Sequence, residues 1–85
     1  MRVELTVYNL TGDTFPPVNI YLRSEGAITW MTSRYFPDGK LTAIGEVTNN
    51  LQQTMDDLAS DVQKISPEAK LEIIIYDFVQ EYRYE

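Results

Sequence analysis

The stretch Leu71–Val79 (LEIIIYDFV) is the densest apolar run of the chain and constrains its fold most. Its β-branched and aromatic side chains suit a pleated, packed surface. Successive side chains of a strand point to opposite faces. Leu71, Ile73, Ile75 and Val79 would then share one face, and Ile74, Tyr76 and Phe78 the other. Apolar residues on both sides predict a strand inside a sheet, with each face at least partly covered. Left at an open edge, the same run would be an aggregation hazard. We therefore read a final central strand over residues 70–79 and look to the rest of the chain for what covers it.

Residues 2–10 (RVELTVYNL) alternate cleanly, with Val3, Leu5 and Val7 opposing Glu4, Thr6 and Tyr8, the pattern of a half-buried strand. Thr11–Pro17 (TGDTFPP) breaks it. Residues 18–23 (VNIYLR) alternate again and read as a second strand, with Val18, Ile20 and Leu22 opposing Asn19, Tyr21 and Arg23. Ala27–Phe36 (AITWMTSRYF) reads as a third. Its facing is contradictory, because Ile28 and Trp30 compete with Met31 and Tyr35, and a bulge would resolve the conflict. Pro37-Asp38-Gly39-Lys40 is a strong turn signal, so residues 40–46 should return as a hairpin partner. Leu41 and Ile44 also extend the following helical stripe backwards, which leaves a helix over 40–46 as the alternative.

Residues 48–65 predict an amphipathic helix. Leu51, Met55, Leu58, Val62 and Ile65 recur at spacings of four and three and form one apolar stripe. Asn49 or Asn50 can cap its start, with Gln52 or Gln53 as a capping-box partner. Lys64 suits its last turn, and Ser66-Pro67 ends it. The stripe is too short for a coiled coil. The expected architecture is a single α+β domain over residues 1–85. It is a two-layer sandwich with a mostly antiparallel sheet of four or five strands, in the order β-β-β-β-α-β, and one helix on one face. The helix should cover Val3, Leu5, Val7, Ile73 and Ile75.

Composition narrows function mainly by exclusion. The 85 residues contain no cysteine and no histidine. Thiol nucleophiles, imidazole acid–base chemistry and thiolate or imidazole zinc sites are thereby removed. No Gly-rich phosphate loop or calcium-loop spacing is present, and Lys40, Lys64 and Lys70 lie in no catalytic motif. Neither a cofactor nor a metal is expected. No apolar run is long enough to span a bilayer, and the amino terminus lacks a signal-peptide core, so the expected compartment is the cytoplasm. The Asn9-Leu10-Thr11 sequon is a chance match in that setting. The net charge is −6 with a pI near 4.4. Direct nucleic-acid binding and anionic membranes are disfavoured on that total, and a basic protein surface is the favoured partner.

Three groups of residues are candidates. One helix cannot cover a whole sheet, so Tyr8, Tyr21, Tyr76 and Phe78, with Glu4, Glu72 and Arg23, are expected on an open face suited to a protein partner or a second copy. Tyrosines are also ordinary on the wet side of a sheet, where they pair across strands. Asp56, Asp57 and Asp61 form an acidic strip on the helix. It is either a solvated surface or an imitation of nucleic-acid phosphates. Asp77 interrupts the apolar strand, and only a cleft around it would make it a general base.

These residues lead to a small, acidic, non-enzymatic protein-binding domain. By analogy of type alone, it is comparable to phage and mobile-element inhibitors that dock on basic, nucleic-acid-binding host proteins. The alternative is an assembly subunit that homodimerises through its tyrosine-rich sheet face.

Overall fold

The structure is a computed structural model that describes residues 1–26, 28–48, 50–76 and 80–85, with backbone alone at 80–82. The elements are β1 (Arg2–Tyr8), α1 (Phe15–Ser24), β2 (Ile28–Phe36), β3 (Lys40–Val47), α2 (Leu51–Ile65), β4 (Lys70–Ile75) and β5 (Gln80–Tyr84). All five strands form one antiparallel sheet in the order β2-β3-β1-β4-β5. The fold is α+β, as the sequence predicts. Its order, β-α-β-β-α-β-β, differs from the expected one. β1 and β2 flank β3, and β3 and β4 flank β1, so two crossovers interleave. This is the split βαβ arrangement, extended by an edge strand.

The segment 18–23 is the chief correction. It belongs to a second helix, α1, instead of a strand. Proline in the first turn costs nothing there, because those N–H groups have no helical acceptor. Thr11 and Thr14 brace the entry: Thr11 N–H donates to Thr14 Oγ1 (2.8 Å), and Thr14 N–H to Thr11 Oγ1 (3.2 Å). Six residues of alternation contain an i, i+4 pair as well as a period of two. Val18 and Leu22 use the former and are buried, while Ile20 turns outward and is 67% exposed.

The remaining elements follow their sequence signals closely. β2 shifts register between Trp30 and Thr32, so Met31 is the bulge that the conflicting pattern required. Gly39 closes the β2–β3 turn at φ 89°, a conformation that favours glycine, and Asp38 Oδ1 accepts from Lys40 N–H at 3.2 Å. Residues 40–47 are strand, not helix. α2 starts at residue 51 instead of 48. Asn50 Oδ1 caps it by accepting from Gln53 N–H at 2.9 Å, whereas the Gln53 side chain turns to Asp57 instead of completing a capping box. In α2, Met55, Leu58 and Val62 are buried and Leu51 and Ile65 half-buried.

The helices cover one face of the sheet only. Val3, Leu5 and Val7 of β1, Leu71, Ile73 and Ile75 of β4, and Leu41 and Val47 of β3 pack there with Val18, Leu22, Met55, Leu58 and Val62. β4 is internal, between β1 and β5, but it ends at Ile75 within the described residues, short of the expected 70–79. Among the described residues nothing covers its outer side. Ile74 is 39% exposed and Tyr76, just beyond the strand, 54%. The sequence predicts partial cover on both faces, yet both helices lie on the other side.

Gly45 is required by a close approach. Trp30 and Ile28 of β2 lie across it, and a Cβ there would sit 2.7 Å from Trp30 Cε3 and 2.8 Å from Ile28 Cγ2. The glycine that looks like a weak point in β3 is thus the seat of the chain's one tryptophan. Gly45→Val should lower stability by about 1–3 kcal/mol through overpacking. Urea unfolding followed by tryptophan fluorescence measures it, and an unchanged midpoint would show that Trp30 can move aside freely.

Candidate functional site

Strand register builds the uncovered face row by row. Inward positions of β1, β3 and β4 are odd-numbered, so even-numbered residues point away from the helices. One row runs Arg34, Thr42, Thr6, Glu72, Arg83 across all five strands. Beside it, Phe36 pairs with Lys40 and Tyr8 with Lys70, and Lys40 and Tyr8 adjoin by continuing the β1–β3 register one residue past Val7 and Leu41. On the other side lie Thr32, Ile44, Glu4 and Ile74. Arg2 and Glu46 complete the far end, next to Tyr76.

This face is shallow. Two adjoining depressions cross it, one of about 360 Å³ bounded by Glu4, Thr32, Arg34, Thr42 and Ile44, the other of about 420 Å³ bounded by Arg2, Ile44, Glu46 and Tyr76. Polar pairs pin its side chains. The Tyr8 hydroxyl donates to Glu72 Oε1 at 3.3 Å, and Arg83 Nε lies 3.6 Å from Glu72 Oε2. Tyr76 donates to Glu4, and Arg2 Nε lies 3.8 Å from Glu46 Oε1. Arg34 and Lys40 stand over the Phe36 ring, at 4.9 and 5.0 Å from its centroid.

Of the aromatic residues predicted for this face, Tyr8 and Tyr76 lie on it. Tyr21 and Arg23 do not, because their segment is helix α1 in the other layer. Phe78 falls outside the described residues, as does Asp77. The Tyr21 hydroxyl instead donates to Asp61 Oδ2 at 2.8 Å and ties α1 to α2. Burial, then the hydrogen bond to Asp61, pushes its pKa well up. Tyr8 is raised by burial and by Glu72, and Tyr76 chiefly by its bond to Glu4.

The acidic strip is real as a surface but not as a single line. Asp56 and Asp57 are exposed and Asp61 half-buried. Asp56 Oδ1 accepts from Gln52 Nε2 (3.0 Å) and from the Tyr84 hydroxyl (3.0 Å) on the β5 side. Asp57 accepts from Gln53 Nε2 at 2.9 Å. Asp61 faces α1 and also has Lys64 at 3.8 Å. Among the described residues, no three carboxylates group in a way that could hold a metal ion. None of the described helices is long and apolar enough to cross a membrane.

Sequence reasoning missed the Arg34–Phe36–Lys40 cluster and the Tyr84–Asp56 bond. The first was within reach. A hairpin turning at Pro37–Gly39 pairs Phe36 with Lys40, and Arg34 is two residues back on the same face. The second depends on how α2 lies over β5, and no local pattern carries that. No protein-family model matches this chain, and neither the curated proteins nor the solved structures give a match.

Tyr21 gives a prediction with a sign. Its folded pKa lies above the unfolded value of about 10, so folding favours the neutral phenol. The resulting stability is fully present below pH ~10 and is lost as pH rises through the folded value. Tyr21→Phe should cost about 0.5–1 kcal/mol at neutral pH, the low end for a hydrogen bond because the pair is half exposed. It should also flatten the alkaline fall in stability. Denaturant midpoints for both proteins across neutral to alkaline pH test this, and parallel curves would rule it out.

Proposed function

We propose that this chain is a small non-enzymatic protein-binding domain that docks through its acidic helical side onto a basic protein surface. What supports it is the segregation of charge. Away from the open sheet face, the described residues include Asp13, Glu25, Asp38, Asp56, Asp57, Asp61 and Glu68 against Arg23 and Lys64. These residues together carry a net −5, on helices and loops. A field so arranged steers basic partners to that side. Tyr84, Gln53 and Tyr21 hold Asp56, Asp57 and Asp61 in place, which reduces the side-chain entropy lost on docking. A nucleic-acid-binding protein is the partner with the most concentrated positive surface, and on it the domain would compete with phosphates. That is the action of an inhibitor, the kind that phage and mobile elements direct at host enzymes.

The test is a pull-down from lysate at low and high salt, with and without nuclease. Expected is a nucleic-acid-binding protein retained in stoichiometric amount, lost at high salt and insensitive to nuclease. Asp56→Lys with Asp57→Lys should weaken that capture at least ~10-fold, in line with the loss of steering and complementarity. Undiminished capture by the double variant would sink the reading.

A second reading has its own observation. Tyr76 is exposed beside Ile44 on the open sheet, and Ile74 is exposed across Glu4 from it, which suits a homodimer face. It predicts a mass that rises with concentration and a weaker dimer in Tyr76→Ala. A monomeric mass throughout the accessible concentration range, by analytical ultracentrifugation, excludes it.

A further inference from the structure

The open face inverts the charge of the chain that carries it. Arg2, Arg34, Lys40, Lys70 and Arg83, five of the seven Lys and Arg, point from it, against Glu4, Glu46, Glu72 and Glu85 among the described side chains. The excess is concentrated at one end. There Phe36, Lys40, Tyr8 and Lys70 form one row and Arg34, Thr42, Thr6, Glu72 and Arg83 the next. Four cations thus meet two carboxylates, Glu72 and Glu85, the latter beside Lys70 by continuing the β4–β5 register one residue past Leu71 and Tyr84. Among the described residues no ion pair involves Arg34, Lys40 or Lys70. Cations left without carboxylates, beside two aromatic rings and two threonine hydroxyls, are poorly explained as a solvated surface of a protein this acidic.

We propose that this basic, aromatic end of the open sheet binds single-stranded nucleic acid. Affinity for such a strand comes from cations on its phosphates and from bases stacked on aromatic rings or guanidinium planes. Arg34, Lys40, Lys70 and Arg83 supply the charge. The half-exposed ring of Tyr8, set between Lys40 and Lys70, and the guanidinium of Arg34 supply stacking surfaces. With strands spaced ~4.8 Å apart, the row from Arg34 to Arg83 spans roughly 19 Å, room for a few nucleotides laid across the strands. A duplex is not accommodated, since no helix or ribbon projects from this flat face to enter a groove. An enclosed small molecule is not either, because the depressions are shallow and open.

The net charge of −6 does not cancel this. The molecule measures 32 × 23 × 21 Å between Cα extremes. Its opposite sides are therefore separated by more than two Debye lengths at physiological salt, about 8 Å each. Near the open face, the local cations set the potential. The site lies on the side opposite the acidic helical surface, so it stands or falls independently of the docking proposed above.

Fluorescence anisotropy with labelled oligo(dT) and oligo(rU), the matching duplex, and a polyglutamate peptide tests it on the full chain. Single strands should bind, and their affinity should fall roughly 50-fold between ~50 and ~200 mM salt, as expected for about four phosphate contacts. Arg34→Glu with Lys40→Glu should abolish binding, with circular dichroism showing an intact fold. Tyr8→Leu should weaken it ~5-fold or more, the loss of one stacked base. Ser60→Glu, exposed on α2 on the far side, should leave it within about two-fold. Absence of single-strand binding at low salt overturns the proposal. So does duplex binding of equal strength, or tighter binding of polyglutamate, which would make the face a receptor for acidic protein segments.

Discussion

Two helices lie side by side over one face of a five-stranded sheet, and nothing among the described residues covers the other. The hydrophobic contribution is accordingly one-sided. Val3, Leu5 and Val7 of the central strand are fully buried, while Glu4, Thr6 and Tyr8 between them stay partly wet. Burying an apolar side chain of this size is worth about 1.5–3 kcal/mol, so the inward set dictates register. A slip of one residue would exchange the two sets and expose the core. The outward residues follow from that choice, and their cross-strand pairs, such as Tyr8 with Glu72, add only small increments to it.

Because register sorts residues, it also sorts charge. The strands send most of their cations outward, to the open face. The carboxylates of α2 lie in the other layer. A chain with a single acidic total thus has one basic surface and one acidic surface, each of which water and salt screen from the other. Tyrosines fasten the carboxylates on both sides. Tyr8 donates to Glu72, Tyr76 to Glu4, Tyr21 to Asp61 and Tyr84 to Asp56. Four of the described tyrosines are used this way. A phenol supplies a hydrogen bond to a carboxylate without neutralising its charge. The surfaces keep their potential while their side chains lose freedom.

Much of this was legible in the sequence where a pattern was long or chemically specific. The fifteen residues of α2 carry four turns of apolar stripe, and its cap and last-turn lysine lie close to where the signals put them. The Pro-Asp-Gly turn and the bulge at Met31 were readable for the same reason. The six residues of 18–23 were not. At that length, a period of two and an i, i+4 pair select the same two positions, Val18 and Leu22, and only the exposure of Ile20 separates them. The misreading carried Tyr21 and Arg23 to the wrong face with it. Conversely, Arg34, Phe36 and Lys40 were each visible, yet their meeting depends on register on both sides of a bulge.

By itself, the sequence determined the α+β class, the inward face of β1 and β4, and the loss of cysteine and histidine chemistry. These follow from residue type and local period, which neighbours in the chain enforce. Only the tertiary structure decided that both helices share one side and that the acidic total divides into opposed surfaces. It alone decided that Tyr21 serves a helix pair and not the sheet. Those outcomes depend on which strand lies beside which, and strand order is fixed by how α1 and α2 jointly bury the apolar face, not by any single stretch of the chain.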